Sequence, residues 1–146
     1  MDIRRATLAD FEQIAITINK FKLEVGENPL TAQMEAAVRG AFERGAIDFY
    51  IVCEDGVVLG ICSLSRCFST YAAAPAALLD DVYIAREWRK KGLLRKLVEC
   101  ARNDAAAKGI SSIMLGASAG DVGMYKSLGF DIELGTMLAM GLADKY

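Results

Sequence analysis

Histidine is absent from the 146 residues. That excludes Ser-His and Cys-His nucleophile pairs, His-bearing zinc sites and imidazole general bases. Acid–base chemistry is left to carboxylates, Tyr, Lys, Cys or water. Cysteine is scarce: Cys53, Cys62, Cys67 and Cys100 form no C-x-x-C pair. This points away from a metal site. With no secretory-signal pattern, it predicts a reduced, cytoplasmic compartment and four small buried hydrophobes. No apolar run approaches the roughly 18 residues of a membrane span. An overall basic excess is missing too: 17 Lys and Arg stand against 19 Asp and Glu, for a net charge of −2. That balance argues against a nucleic-acid partner.

What is present is a globular composition, 53% hydrophobic and 25% charged, at the usual length of one domain. No linker, repeat or low-complexity segment divides it, so residues 1–146 read as a single domain. Periodicity gives the element order. A short strand covers Asp2 to Ala6, and Thr7 caps a first helix running to about Lys22, with Phe11, Ile14, Ala15 and Ile18 at helical spacing. Gly26 to Pro29 is a break, and Thr31 caps a second helix that Gly45 stops. Asp48–Cys53 and Val57–Phe68 are strands joined by a Glu54-Asp55-Gly56 hairpin turn. Residues 69–76 are turn-prone, and Leu78 to Ala85 is a fourth strand. Gly92 to Lys108 is the longest helix, Ile110 to Leu115 a strand, Asp121 to Leu128 a short helix, and Phe130 onward one or two closing strands. The chain is thus α/β, and its fourth and fifth strands are parallel across a helical crossover.

Residues 86–96 hold six basic side chains and one acidic one. Arg89, Lys90 and Lys91 sit where a helix begins, at the positive end of its dipole, which prefers Asp and Glu. A bound polyanion would remove the conflict. First-turn N–H groups, with Gly92 allowing close approach, make a phosphate cradle. A solvated basic turn is the alternative. The loop is neither a Walker sequence nor G-x-G-x-x-G.

Arg89-Lys90-Lys91-Gly92-Leu93-Leu94 after a strand, and Tyr125-Lys126-Ser127-Leu128-Gly129-Phe130 at a short helix, carry a resemblance. The chain resembles the GNAT superfamily of acetyl-CoA-dependent N-acetyltransferases, whose signatures are R/Q-x-x-G-x-G/A and Y-x-x-x-G-F. Val82 to Glu87 resembles the family's V-x-V-x-P-E stretch, and Leu115 to Ser118 its strand-5 lead-in. Three positions depart from the pattern: Lys90 where Gly is common, Leu94 where Gly or Ala is usual, and Ser118 where many members have Asn. Leu94 either narrows the approach to the pyrophosphate or faces the core.

The resemblance implies a mixed sheet of six or seven strands with about four helices, strands 4 and 5 being parallel and splayed. It implies acetyl-CoA as cofactor, held by Val82, Tyr83 and Ile84 along the pantetheine, by Arg89, Lys90, Lys91, Gly92, Leu93 and Leu94 at the pyrophosphate, and by Ser118. It implies acetyl transfer to a primary amine, with Tyr125 as general acid, since a phenol is protonated at pH 7. Asp80 and Asp81 interrupt an apolar strand, and burying an unpaired carboxylate is costly. Regular alternation puts Asp80 on the face of Val82 and Ile84 and Asp81 on the opposite face. Asp80 is the candidate base or amine anchor, with Asp81 or water as alternates. The acceptor is expected between Phe21 and Leu30 and near Tyr71. A small-molecule amine is the expected partner, and a homodimer a further one. Two competing functions are a coenzyme-A-binding module without turnover and an acetyltransferase for protein N-termini or lysines.

Overall fold

Apolar, β-branched runs build one five-stranded mixed sheet in the order β1 (Asp2–Arg5), β2 (Ile47–Glu54), β3 (Val57–Ser69), β4 (Ala74–Ile84) and β5 (Ile113–Met114). The computed structural model describes residues 1–144. β1 to β4 pair antiparallel, whereas β5 joins β4 in parallel. The helices are α1 (Phe11–Glu24), α2 (Ala32–Glu43), α3 (Leu93–Ala107) and α4 (Val122–Ser127). Both sheet faces are covered, so β2 is buried over Asp48–Val52 instead of alternating. On one face Tyr50, Val52, Leu64 and Leu79 meet Leu93, Leu97 and Ala101 of α3. On the other, Phe49, Ile51, Ile61 and Tyr83 meet Ile14 and Ile18 of α1.

Local signals act as expected at several joints. Thr31 Oγ1 accepts from the Met34 amide and caps α2. Asp55 and Gly56 have φ of 51° and 77°, the two positive values that a tight hairpin turn between twisted strands requires. One buried carboxylate ties the sheet together. Asp48 accepts from Arg5 on β1 at 2.7 Å and from Arg66 on β3 at 2.9 Å, and a buried charge needs such partners.

The structure corrects the expected strand count. Residues from Phe130 onward form no strand among the described residues, so the sheet has five strands and not six or seven. Gly135, at φ 112°, interrupts the run. β5 offers only the two-residue pairing Ala77↔Ile113 and Leu78↔Met114 as a template. The segment approaches that edge, with Met137 packed over Gly116, but makes no ladder. β4 also begins four residues earlier than Leu78, because the long β3 pairs it from Ser69↔Ala74 onward. Cysteine burial is mixed: Cys62 is buried, Cys53 and Cys100 are half-buried, and Cys67 is exposed on the projecting end of β3.

Candidate active site

β4 carries the first part of the site, and its register is irregular there. Cys62 pairs with Val82 and Leu64 with Leu79, so Ser63 alone stands opposite both Asp80 and Asp81. This is a β-bulge, a device that re-aims side chains. Its effect shows in the core: Leu79 and Ile84 share the α3 face, with Val82 packed against it, whereas Tyr83 lies on the α1 face. Regular alternation would have put Leu79 opposite Val82 and Ile84. Both carboxylates are therefore directed to the side of Ser63 and Ser65, away from α3. Asp80 does not share a face with Val82 and Ile84; the extra residue breaks the period of two.

The two carboxylates differ in setting. Asp80 is exposed and accepts from the Ser65 hydroxyl at 2.6 Å. Asp81 is half-buried, accepts from the Ser63 hydroxyl at 3.0 Å, and donates its amide to the same oxygen at 3.1 Å. Burial raises the Asp81 pKa above the ordinary carboxylate value; the Ser63 bond opposes the rise, the charge of Asp80 adds to it, and that of Lys22 offsets it. A carboxylate raised in this way is better matched to accepting a proton near neutral pH.

Beyond Leu78, β4 runs six residues further to Ile84 with no strand partner on its β5 side among the described residues. Its other side is paired with β3 through Ile84↔Gly60. A Cβ on Gly60 would lie 2.5 Å from Ile84 Cδ1 and 2.9 Å from the Tyr83 carbonyl oxygen, so glycine lets the strands meet there. The Tyr83 ring is buried against α1, which leaves its backbone as the part near the open edge.

After β4 the chain makes a short 3-10 turn, Arg86–Trp88, and enters α3. Lys90 and Gly92 have φ of 61° and 77°. Glycine would fit the left-handed backbone at Lys90 without the strain that a side chain brings there. The amides of Lys90, Lys91 and Gly92 find no acceptor among the described residues. Among the described residues no side chain caps α3, and nothing lies within 4 Å of a Cβ built on Gly92. Unsatisfied N–H groups, the positive end of a 15-residue helix and open space above a glycine fit an anionic diphosphate. Leu93 is buried and Leu94 packs partly buried against the same core, so their side chains serve the interior. Lys91 Nζ sits 4.5 Å over the Trp88 ring, which itself packs against both cores.

Arg89 is anchored within the protein. Its Nε donates to the Ile84 carbonyl at 2.8 Å, and its Nη2 to Glu24 Oε2 at 2.7 Å. Glu24, at the end of α1, also accepts from the Tyr83 hydroxyl at 3.1 Å. Glu24 falls in the segment expected to line the acceptor site, yet its carboxylate is engaged by a partner 65 residues away in sequence, which no local pattern signals.

Tyr125 lies on α4, which is tied to α3 by Arg95 Nη1 donating to the Ser127 carbonyl at 3.0 Å. Its ring is half-buried and stacks edge-on against Phe130 at 6.0 Å. Burial, with a smaller contribution from Asp121, raises its pKa, so the phenol holds its proton at neutral pH. Its hydroxyl makes no hydrogen bond among the described residues, to Asp80 and Asp81 included. Ser118 donates to Asp121 at 2.9 Å at the start of α4. A cavity of about 390 Å³ lies where α1 leads into α2, lined by Lys22, Glu27, Asn28, Pro29 and Met34 among others.

Known proteins share this fold. No curated protein matches the chain in sequence. In the solved structures, a probable acetyltransferase superposes with TM-score 0.87 at 22% identity, covering 99% of this chain and 100% of its own. A predicted acetyltransferase with acetyl-CoA from Clostridium acetobutylicum gives TM-score 0.80 at 17% identity, with 97% and 96% covered. An aminoglycoside acetyltransferase from an uncultured soil metagenomic sample, in complex with sisomicin, gives 0.84 at 14%, with 97% and 95% covered. At such identities the likeness is one of fold. The sequence pattern of the acetyltransferase (GNAT) family matches residues 13–130. That span holds both motif regions and four of the five strands, and with it the chain is shown to belong to the acetyltransferase (GNAT) family.

Proposed function

We propose that the protein transfers the acetyl group of acetyl-CoA to a primary amine of a small molecule by direct attack in a ternary complex. The observation that carries this reading is the uncapped start of α3, with left-handed Lys90 and Gly92 and free amides, in a chain of this family. The amides from Lys90 to Leu94 hold the pyrophosphate, with Lys90 and Lys91 adding charge. Arg89 fixes the loop that presents them. The backbone of Val82, Tyr83 and Ile84 holds the pantetheine along the open edge of β4, where β4 and β5 splay beyond Leu78. Ser118 adds a contact from the start of α4. When bound, the cofactor supplies an acyl thioester and a thiol leaving group.

Around it the side chains divide the proton work. Asp81 accepts a proton from the incoming ammonium, directly or through water. Its raised pKa supports this role over that of Asp80, which is exposed and anchors the amine. A backbone N–H of β4 stabilises the developing oxyanion. Tyr125 Oη delivers its proton to the sulfur side of the site. The acceptor enters by the cavity between α1 and α2. The enzyme works in the cytoplasm, on small molecules and not on nucleic acid or membranes. It forms a homodimer that covers the apolar side chains exposed from Ile132 to Leu142.

A thiol-release screen over amino acids, polyamines, aminoglycosides and peptides tests the proposal. Acetyl-CoA is expected to raise the melting temperature by mass action, and one amine class to release thiol. Turnover of peptides alone would move the substrate to protein N-termini or lysines. Saturable coenzyme A binding with no release would favour a binding module. No binding at sub-millimolar concentration would overturn both.

A further inference from the structure

Glu24 sits at the last residue of α1, immediately before the chain that walls the 390 Å³ cavity. Its carboxylate does not line that cavity and turns instead to β4 and the loop after it. One oxygen accepts from Arg89 at 2.7 Å and the other from the Tyr83 hydroxyl at 3.1 Å, with Arg86 Nε at 4.0 Å. Arg89 in turn grips the Ile84 carbonyl at 2.8 Å and lies 5.5 Å from the centre of the Tyr83 ring. Phe21, one turn back along α1, meets the same ring edge-on at 6.0 Å. A single carboxylate thus joins three parts: the loop that presents the diphosphate amides, the open end of β4, and the end of the helix leading into the acceptor wall. The wall is itself tied to α1, by the Glu27 amide donating to the Lys22 carbonyl at 2.8 Å, Asn19 accepting from the Leu30 amide at 2.8 Å and the Lys22–Glu27 pair at 3.0 Å, with Leu30 against the α1-side core.

We infer that Glu24 is a positioning residue that couples the cofactor loop to the acceptor wall, so that occupation of the loop at Arg89–Leu93 orders residues 25–31. The inference rests on the cofactor-binding part of the proposed function. Coupling of this kind is reciprocal: whatever tightens the wall when the loop is filled also makes a filled acceptor site tighten the loop. The sequence separation of Glu24 and Arg89 makes this link invisible to any local pattern.

Hydrogen exchange of the full chain, with and without saturating coenzyme A as probe, tests it without knowledge of the amine. In the wild type, coenzyme A is expected to slow exchange at 89–93 and also, at least threefold, at 25–31. In Glu24→Ala the slowing at 89–93 persists and the slowing at 25–31 is lost. Glu24→Gln, nearly isosteric and therefore safe for folding, is expected to lose it as well because the charge is gone. A merely structural role would speed exchange at 25–31 equally with and without coenzyme A, leaving the ligand-dependent difference intact, and that result overturns the inference. So does wild-type protection confined to 89–93. Absence of protection at both segments overturns the cofactor reading, and the coupling with it.

Discussion

The Ser63 hydroxyl donates to the Asp81 carboxylate at 3.0 Å and accepts from the Asp81 amide at 3.1 Å. One serine therefore fixes the bulge and the side chain that the bulge re-aims. Burial raises the Asp81 pKa, and the Ser63 bond limits the rise. The folded chain binds this proton more tightly than the unfolded one. Stability from this group falls as pH rises from the ordinary Asp value, about 3.9, through the raised value, and the penalty is fully present above both. Asp81→Asn is expected to raise the melting temperature at pH 7 while lowering thiol release. Ser63→Ala is expected to move the acidic limb of the rate profile to higher pH. Melting curves and pH–rate profiles of the two variants check these outcomes, and an Asp81→Asn protein with unaltered turnover would dismiss Asp81 as the base.

Tyr125→Phe keeps the ring that stacks on Phe130 and removes only the hydroxyl. Turnover is expected to fall about a hundred- to ten-thousandfold, the usual worth of general acid catalysis, with little change in melting temperature. Steady-state thiol release beside a thermal melt distinguishes lost chemistry from lost fold.

Lys90 holds φ at 61°. A left-handed L-residue costs roughly 1–2 kcal/mol, and glycine's extra unfolded freedom returns about 0.5–1 kcal/mol of that. Lys90→Gly is therefore expected to stabilise the protein slightly, by at most about 1.5 kcal/mol in denaturant titration. It also removes one positive charge beside the proposed diphosphate site, so coenzyme A affinity is expected to fall below wild type by a margin that widens as salt is lowered, an effect calorimetry at two ionic strengths can read.

Gly60 has the opposite sign. Its added methyl would meet Ile84 Cδ1 and the Tyr83 carbonyl oxygen. Gly60→Ala is expected to destabilise by about 1–3 kcal/mol, the range of overpacking, and to loosen coenzyme A binding because the strand pushed aside carries Val82 to Ile84. A chemical denaturation series would settle the first part.

Asp10 gives a pH prediction away from the site. The Arg4 guanidinium, bonded at 2.8 and 2.9 Å, holds its pKa down to about 2 despite partial burial, helped by the Thr7 amide. This stabilisation is present above the unfolded value of about 3.9 and is lost as pH falls through about 2. Arg4→Gln is expected to unfold at a higher pH in an acid titration followed by circular dichroism.

Much of this protein was legible in the order of its residues. Periodicity located the helices, because an amphipathic stripe must face a core wherever that core lies. The basic run at 86–96 stood out at the start of α3, because charge at the wrong end of a helix dipole is a local conflict. The strands after Phe130 were misread, because forming them needs a paired edge, and β5 supplies only two residues of one. The bulge at Asp80–Asp81 was hidden as well, since it depends on register against β3 and not on β4's own sequence. The sequence alone determined which chemical groups exist: no imidazole, five phenols and two adjacent carboxylates. Tertiary structure decided which of them meet. Glu24 and Arg89 lie 65 residues apart, and only the packing of α1 beside the end of β4 brings carboxylate and guanidinium to 2.7 Å.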